Sequence, residues 1–258
     1  MKKLILTDDL KSKLNRSNCI GEGNEGRVYI YNSTDTIKMY NIFKKMLNDD
    51  SHIITTLEEE ASEMYHDKLL ELDLRQNLIG RTNLPKGYID YNGFTVGSIL
   101  TFHDNHAALV THYFDDDETI LHTFKEINKS IRELVTYCIY PTDIHEQNIL
   151  IENKTLFPEI IDMDGEYIHI TNHPDKDEES YSFYKMMQLF INYVRLKKSN
   201  NTRLTDEEIF ENINMGKKYI DLLLSGKASY EELENLFDYC LKDEILKKAP
   251  TYRLLRRF

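Results

Sequence analysis

The chain has 258 residues, of which 41% are hydrophobic and 29% are charged, and its formal net charge is −12. This composition is typical of a folded protein with one large domain or two small lobes, and the negative charge disfavours nucleic acid and anionic membranes as partners. The first apolar run is too short for a secretory signal, no stretch is long enough to span a bilayer, and the three cysteines lack metal-binding or disulfide spacing. We therefore expect a cytoplasmic protein.

The sequence predicts a β-hairpin that includes a glycine-rich stretch, GEGNEGRVYIY, at residues 21–31. Residues 28–31 are β-branched or aromatic and predict one strand, a polar turn follows, and residues 36–40 predict the second strand. The glycines lead into a strand rather than a helix and do not have the Walker spacing, so neither a dinucleotide-binding loop nor a Walker loop fits. A glycine turn between antiparallel strands remains, in which backbone N–H groups can approach phosphate oxygens.

Lys38 lies on the second strand of this hairpin, where its ammonium group can meet phosphate charge beside the glycine turn. An acidic helix is predicted next, from apolar residues at helical spacing: Leu57, Ala61, Met64, Tyr65 and Leu69. We expect Glu60 of this helix to orient Lys38, with Glu63 as the alternative, because each can face inward beside an apolar neighbour.

The rest of the chain changes from strands to helices. Strands are predicted at residues 84–91 and 94–102, separated by the turn dipeptide Asn92-Gly93. Beyond His103, an amphipathic helix is predicted within residues 115–140, and a helix that is apolar on nearly every side within residues 180–194. Residues 229–241 predict a further amphipathic helix. The chain is therefore expected to be an α+β protein.

A second group of polar residues lies in YPTDIHEQNILIENKTLFPEIIDMDGEY, residues 140–167. Asp143 and Asn148 occupy a polar loop before the strand-like residues 149–151, and Asp162 follows a second apolar run. Such oxygen-bearing side chains suit Mg²⁺ ions that bridge phosphates, with one carboxylate left for an acceptor hydroxyl. The alternative is a pair of turns in which Asp and Asn serve only the backbone.

Taken in chain order, these motifs resemble those of the protein-kinase-like superfamily. Gly21, Gly23, Gly26 and Val28 match its glycine-rich loop, Lys38 its phosphate-pairing lysine, Asp143 and Asn148 its catalytic loop, and Asp162 the metal-binding aspartate of Asp-Phe-Gly. Residues 180–191 resemble the helix that anchors its C-terminal lobe.

The resemblance implies a two-lobed kinase fold that binds ATP and Mg²⁺. An N-terminal antiparallel sheet with one helix is expected in residues 1–102, and a mainly helical C-terminal lobe in residues 103–258, with a hinge at residues 100–104 or, alternatively, 111–113. Asp143 would orient or deprotonate the acceptor hydroxyl, and Lys38 would pair the α and β phosphates. Asn148 and Asp162 would hold Mg²⁺, while Val28 and Leu150 would enclose the adenine.

The chain departs from the family pattern at three points. Thr142 replaces the arginine of His-Arg-Asp, so control by an activation-loop phosphate is not expected. His145 replaces the usual lysine of protein serine/threonine kinases, and the loop looks more like that of aminoglycoside and choline phosphotransferases. The run from Asp162 to Gly165 also leaves a register in which Asp164 is the metal ligand.

Three functions remain open from the sequence. The leading expectation is a protein serine/threonine kinase, because the glycine loop is complete. The first alternative is a kinase of small hydroxylated molecules, favoured by His145 and by the little room for a peptide-docking segment after Asp162. The second is a pseudokinase that binds a nucleotide or a partner without turnover.

Overall fold

The structure is a computed structural model that describes residues 1–47, 52–111, 114 and 116–198. The protein has an α+β architecture, and its described residues divide into two compact units, one within residues 1–105 together with 162–170 and the other within residues 106–161 together with 171–198. The first unit thus extends past residue 102 and takes in residues 162–170, which the sequence assigned to the second lobe. The helix predicted at residues 229–241 and part of the alternative hinge at 111–113 lie outside the described residues.

The first unit is built on a six-stranded mixed sheet in the order β1-β5-β6-β4-β3-β2. Its strands and helices are β1 (Lys2–Ile5), α1 (Asp8–Lys13), β2 (Cys19–Glu22), β3 (Gly26–Ile30), β4 (Asp35–Tyr40), α2 (Thr56–Arg75), β5 (Gly87–Tyr91) and β6 (Phe94–Thr101). Short 3-10 helices occupy Asn41–Leu47 and Gln76–Leu78.

The prediction of a wholly antiparallel sheet is wrong at the N-terminus. The sequence analysis assigned no strand there, yet β1 runs parallel to β5 at one edge of the sheet. Four residues are too few to show a period, so the strand is defined by its partner. The other five strands pair antiparallel, and β4 is buried along its whole length.

Helix α2 begins with a capping box. The Thr55 hydroxyl accepts a hydrogen bond from the Glu58 N–H, and the Glu58 carboxylate accepts one from the Thr55 N–H at 2.8 Å. The predicted inward face is confirmed only in part: Tyr65 and Leu69 are buried as expected, but the other buried residues of the helix are Glu58, Ser62 and Leu72. Leu57, expected to face inward, is 71% exposed.

The inner face of α2 includes a polar contact with the sheet. The Ser62 hydroxyl accepts a hydrogen bond of 2.7 Å from the backbone N–H of Thr95 on β6, and this bond is buried. Burying Ser62 satisfies a backbone donor that would otherwise be unpaired. Because hydrophobic spacing cannot show such a bond, the sequence placed Glu60 and Glu63 on the wrong side, and both are exposed.

The second unit contains two long helices and short strands. They are β7 (His106–Ala108), α3 (Asp117–Thr136), β8 (Ile139–Pro141), β9 (Ile149–Glu152), β10 (Pro158–Ile160) and α4 (Lys176–Lys198), while β11 (Ile168–Ile170) belongs to the first unit. Strand β9 pairs antiparallel with β7 and β10. The polar loop of residues 142–148 therefore leads directly into the middle strand of a three-stranded sheet.

Helices α3 and α4 form an aromatic contact inside the second unit. The predicted apolar face of α3 is buried: Ile120, Phe124, Ile127, Ile131 and Leu134 are at most 4% exposed. The Phe124 ring centroid lies 4.8 Å from that of Phe190 and 5.3 Å from that of Tyr193, both on α4.

Across the described residues, no helix is long and apolar enough to cross a membrane.

Candidate functional site

The glycine turn between β2 and β3 is held by Asn41. Its side-chain amide donates to the carbonyl oxygens of Gly23 and Asn24 at 2.8 and 2.9 Å, and its backbone N–H donates to the Glu25 carbonyl at 2.7 Å. A Cβ atom at Gly26 would lie 2.6 Å from a backbone oxygen of β4, whereas one at Gly23 would meet nothing within 4 Å. Of these two glycines, only Gly26 is required sterically, by the close approach of β4.

Lys38 lies near the middle of the sheet, where β4 places it opposite Val28 on β3 and Ser98 on β6. Directly opposed residues project from the same face, so these three side chains are neighbours. The Lys38 side chain is 4% exposed. Its ammonium group contacts three carboxylates: Glu25 at 3.1 Å, Asp164 at 3.2 Å, and Asp162. The structure therefore brings together Lys38 and Asp162, which are 124 positions apart in the chain.

The carboxylate partners of Lys38 differ from the one predicted. Glu60 and Glu63 of α2 are exposed, and the contacting groups are Glu25 from the glycine turn and two aspartates after β10. The reason is the face that α2 turns inward. Asp164 appeared in the sequence analysis only as an alternative metal ligand, and Glu25 lacked any local pattern that could have identified it.

Asp164 is completely buried, and both of its carboxylate oxygens accept hydrogen bonds. Lys38 donates to its Oδ1, while the Tyr40 hydroxyl, at 3.0 Å, and the Ser98 hydroxyl donate to its Oδ2. Burial alone would raise the pKa of Asp164, but the charge of Lys38 and these hydrogen bonds outweigh it and hold the pKa below the ordinary value. Asp164 is therefore an ionised carboxylate without exposed surface for a metal ion.

Asp162 has a different environment. Its side chain is 34% exposed, and its φ of 64° lies in the left-handed region that residues other than glycine rarely adopt. Burial raises the pKa of Asp162. The charges of Asp164 and Glu25 also raise this pKa, whereas the charge of Lys38 lowers it. An accessible carboxylate on a strained backbone is a common feature of functional sites. Of the two aspartates, only Asp162 has a partly exposed side chain.

Burial alone would lower the pKa of Lys38, but the charges of the three surrounding carboxylates raise it above the ordinary value. The lysine is therefore a cation. Lys38 and the three carboxylates carry one positive and three negative charges when all four are ionised.

The segment from Asp162 to Glu166 is also bound by α2 and by the glycine turn. Lys68 of α2 donates a hydrogen bond of 2.6 Å to the Gly165 carbonyl, and the Glu166 N–H donates one of 2.7 Å to Glu25. Burial lowers the pKa of Lys68. Helix α2 thus contributes a cation to this segment, not the carboxylate that was expected.

A stacked pair of tyrosines lies next to Asp164: Tyr40 donates to this carboxylate, and Tyr65 comes from α2. The rings of Tyr40 and Tyr65 stack with centroids 3.8 Å apart and an angle of 13° between their planes. Burial raises the pKa of Tyr65 to about 12, so its hydroxyl stays protonated at neutral pH. Tyr40 lies two residues after Lys38 on β4, so both side chains point to the same face.

The second unit holds Asp143, His145 and Asn148 in the loop before β9. The Asn148 amide donates to the Asp143 carbonyl at 3.1 Å and to its carboxylate at 3.4 Å, and His145 Nε2 lies 3.4 Å from the same carboxylate. His145 Nδ1 accepts a hydrogen bond from the Gln147 N–H, so a neutral ring carries its proton on Nε2, facing Asp143. His145 first, and then Lys185 and Asn148, lower the pKa of Asp143 despite its partial burial.

The predicted metal ligands have suitable donor chemistry. The amide N–H₂ of Asn148 points at Asp143, which leaves its Oδ1 as a possible ligand, and Asp162 offers an accessible carboxylate. Asn148 also fixes the end of β10, because its carbonyl accepts a hydrogen bond of 3.0 Å from the Ile161 N–H. Within the described ranges, no group of three or more His, Cys, Asp or Glu could hold a metal ion.

The remaining predicted residues lie on strands of the two units. Val28 is half-buried on β3, beside Lys38, and Leu150 is half-buried on β9. Gly21 lies on β2 opposite Val28.

The chain matches no family model, and a search of curated proteins also found no match. The functional assignment must therefore come from the geometry of these residues.

Proposed function

We propose that this protein is a phosphotransferase with a kinase-like fold that uses ATP and Mg²⁺ and transfers a phosphoryl group to a hydroxyl group. The observation that carries the proposal is the contact of Lys38 with Asp162 beside a glycine turn that Asn41 holds in place. A buried cation next to an accessible carboxylate suits the binding of a metal-complexed phosphate. The first and second units would correspond to the N-terminal and C-terminal lobes of a kinase.

In this proposal the chain acts mainly by positioning and by charge, which is what phosphoryl transfer requires of an enzyme. Lys38 binds the α and β phosphates, and Val28 and Leu150 enclose the adenine. Asp162 of the first unit and the Asn148 amide oxygen of the second would hold Mg²⁺, which would neutralise phosphate charge.

Asp143 orients or deprotonates the acceptor hydroxyl. Its lowered pKa keeps the carboxylate ionised at neutral pH, and the hydrogen bonds from Asn148 fix its direction. His145 directs the protonated nitrogen of its neutral form toward the same carboxylate. The lowered pKa makes Asp143 a weak base, so its main role is to orient the acceptor.

A protein hydroxyl is the first acceptor to test, because the glycine loop resembles that of protein kinases. A small hydroxylated molecule is the second candidate, and a specific observation favours it. Between Asp162 and the start of α4 at Lys176, the chain contains only turns and the three-residue strand β11. This connection leaves little length for a segment that docks a peptide.

Transfer from radiolabelled ATP tests the proposal. The protein is incubated with ATP and Mg²⁺, alone, with generic protein acceptors and with a panel of small hydroxylated compounds. Transfer should be lost in Asp143→Asn and Asp162→Asn and unchanged in Asp9→Asn, a matched control at an exposed aspartate of α1. Label on protein supports the first acceptor class, and label only on small compounds supports the second.

Two other outcomes are informative. Nucleotide binding without transfer or hydrolysis under any condition would identify a pseudokinase. Failure to bind any nucleotide in the presence of Mg²⁺ would overturn the proposal.

A further inference from the structure

Helix α2 provides no carboxylate to Lys38. All of its residues are described, and the acidic side chains have other positions: Glu58 caps the helix, Glu71 pairs with Arg75, Asp73 pairs with the N-terminal amine, and Glu59, Glu60, Glu63 and Asp67 are exposed. Lys38 is nevertheless almost completely buried, and a buried ammonium group needs an ionised partner. The partner must come from another element.

Asp164 meets this requirement more completely than the other two carboxylates. It is the only one of the three that is fully buried, and both of its oxygens accept hydrogen bonds from the sheet. The donors lie close together because Lys38 and Tyr40 are two residues apart on β4 and Ser98 is opposite Lys38 on β6. One face of the sheet thus directs an ammonium group and two hydroxyl groups at a single carboxylate.

We propose that Asp164 is the positioning residue for Lys38, and that it has the role for which the kinase resemblance implies a glutamate on α2. Asp164 fixes the ammonium group against the sheet, while Asp162 keeps exposed surface for a metal ion. Without Asp164, Lys38 would be left to Glu25 and Asp162, and the latter contact would compete with the metal. The inference rests on the proposed function in that Lys38 is assigned to the phosphates.

A labelling experiment tests the position of Lys38 without any nucleotide. An amine-reactive ester is added at one pH, and the labelling rate of each lysine is followed by mass spectrometry. In the unchanged protein, Lys38 should react far more slowly than the exposed Lys13. Asp164→Asn should accelerate labelling of Lys38 by about tenfold, since it removes a charge-assisted hydrogen bond. The double variant Glu60→Gln/Glu63→Gln should leave the rate unchanged.

A milder variant covers the case in which Asp164→Asn does not fold. Ser98→Ala removes one of the hydroxyl donors to Asp164 and should accelerate labelling of Lys38 to a smaller extent, with a melting curve as the check on folding. The inference is overturned if the folded Asp164 and Ser98 variants leave the labelling of Lys38 unchanged. It is equally overturned if the α2 variant increases that labelling.

A nucleotide-binding cycle separates positioning from a merely structural role. Affinity for a fluorescent ATP analogue with Mg²⁺ is measured for Asp164→Asn, Lys38→Met and the double variant. Asp164→Asn should weaken binding about tenfold when Lys38 is present and have no further effect in Lys38→Met, because it acts through the lysine. Additive losses would refute the positioning role. If the unchanged protein binds no nucleotide, the proposed function fails, and the labelling comparison still decides the inference about Asp164.

Discussion

If Lys38 binds phosphate, a nucleotide phosphate must compete with the Glu25 carboxylate for the Lys38 ammonium group. Its carboxylate is 11% exposed, lies 3.1 Å from the Lys38 ammonium group and accepts a hydrogen bond from the Glu166 N–H. Replacement by glutamine keeps the size and the hydrogen-bonding oxygen but removes the charge. We therefore expect Glu25→Gln to increase the affinity for ATP.

The magnitude follows from the contact that the nucleotide has to replace. Two unit charges about 4 Å apart attract with about 4 kcal/mol at an effective dielectric constant of 20, which is an upper limit here. A hydrogen bond to a charged group contributes about 1.5–3 kcal/mol, roughly twice a neutral one. Losing about half of that contribution, roughly 1.4 kcal/mol at its upper end, predicts an affinity gain of up to about tenfold.

Titration with a fluorescent ATP analogue in the presence of Mg²⁺ measures this gain. Glu22→Gln is the matched control, because Glu22 is in the same hairpin, is 61% exposed and pairs with the exposed Arg27. The control should bind the nucleotide as the unchanged protein does. Weaker binding by Glu25→Gln would refute the reasoning, since Glu25 would then support the nucleotide or its metal ion.

Three further predictions concern folding stability, measured by urea unfolding. Gly26→Ala should lower the free energy of unfolding by about 2 kcal/mol, because its Cβ would overlap a backbone oxygen of β4, whereas Gly23→Ala should cost much less. Thr55→Ala should cost about 1 kcal/mol through loss of the α2 cap. A hydrogen bond from Lys86 lowers the pKa of Asp35, so the charged carboxylate stabilises the fold above its unfolded pKa. Asp35→Asn should therefore be less stable at pH 7, and the difference should shrink as the pH falls through the folded pKa; a constant difference would contradict this.

The sequence predicts best those elements that follow one strong period. The face of α3 was predicted because Phe124 and its apolar neighbours recur at helical spacing and form one buried stripe. The Lys38 strand was also predicted, because a run of β-branched and aromatic residues on each side of a polar turn has few other interpretations. The contact of Lys38 with Asp162 was expected only from the order of the motifs.

The rest depends on pairings that one segment alone does not show. Ser62 lies on the inner face of α2 and accepts a hydrogen bond from the Thr95 N–H, a contact that apolar spacing does not show, and Glu60 lies on the exposed side. Glu25 is one acidic residue in a turn, and only the distance across the sheet to Lys38 makes it part of the site. Asp164 is a good carboxylate partner only because β4 and β6 are neighbours.

The charges around Lys38 separate three roles that the sequence could not separate. One ammonium group cannot balance three carboxylates, so the environments of the carboxylates must differ. Asp164 is enclosed and receives donors from the sheet, so it serves the lysine. Glu25 lies on the glycine turn and not on a strand of the sheet, so under the proposed function it is the carboxylate with which we expect a phosphate to compete at Lys38. Asp162 is 34% exposed and its pKa is raised, so under the proposed function it is the carboxylate of the three that we expect a divalent cation to contact.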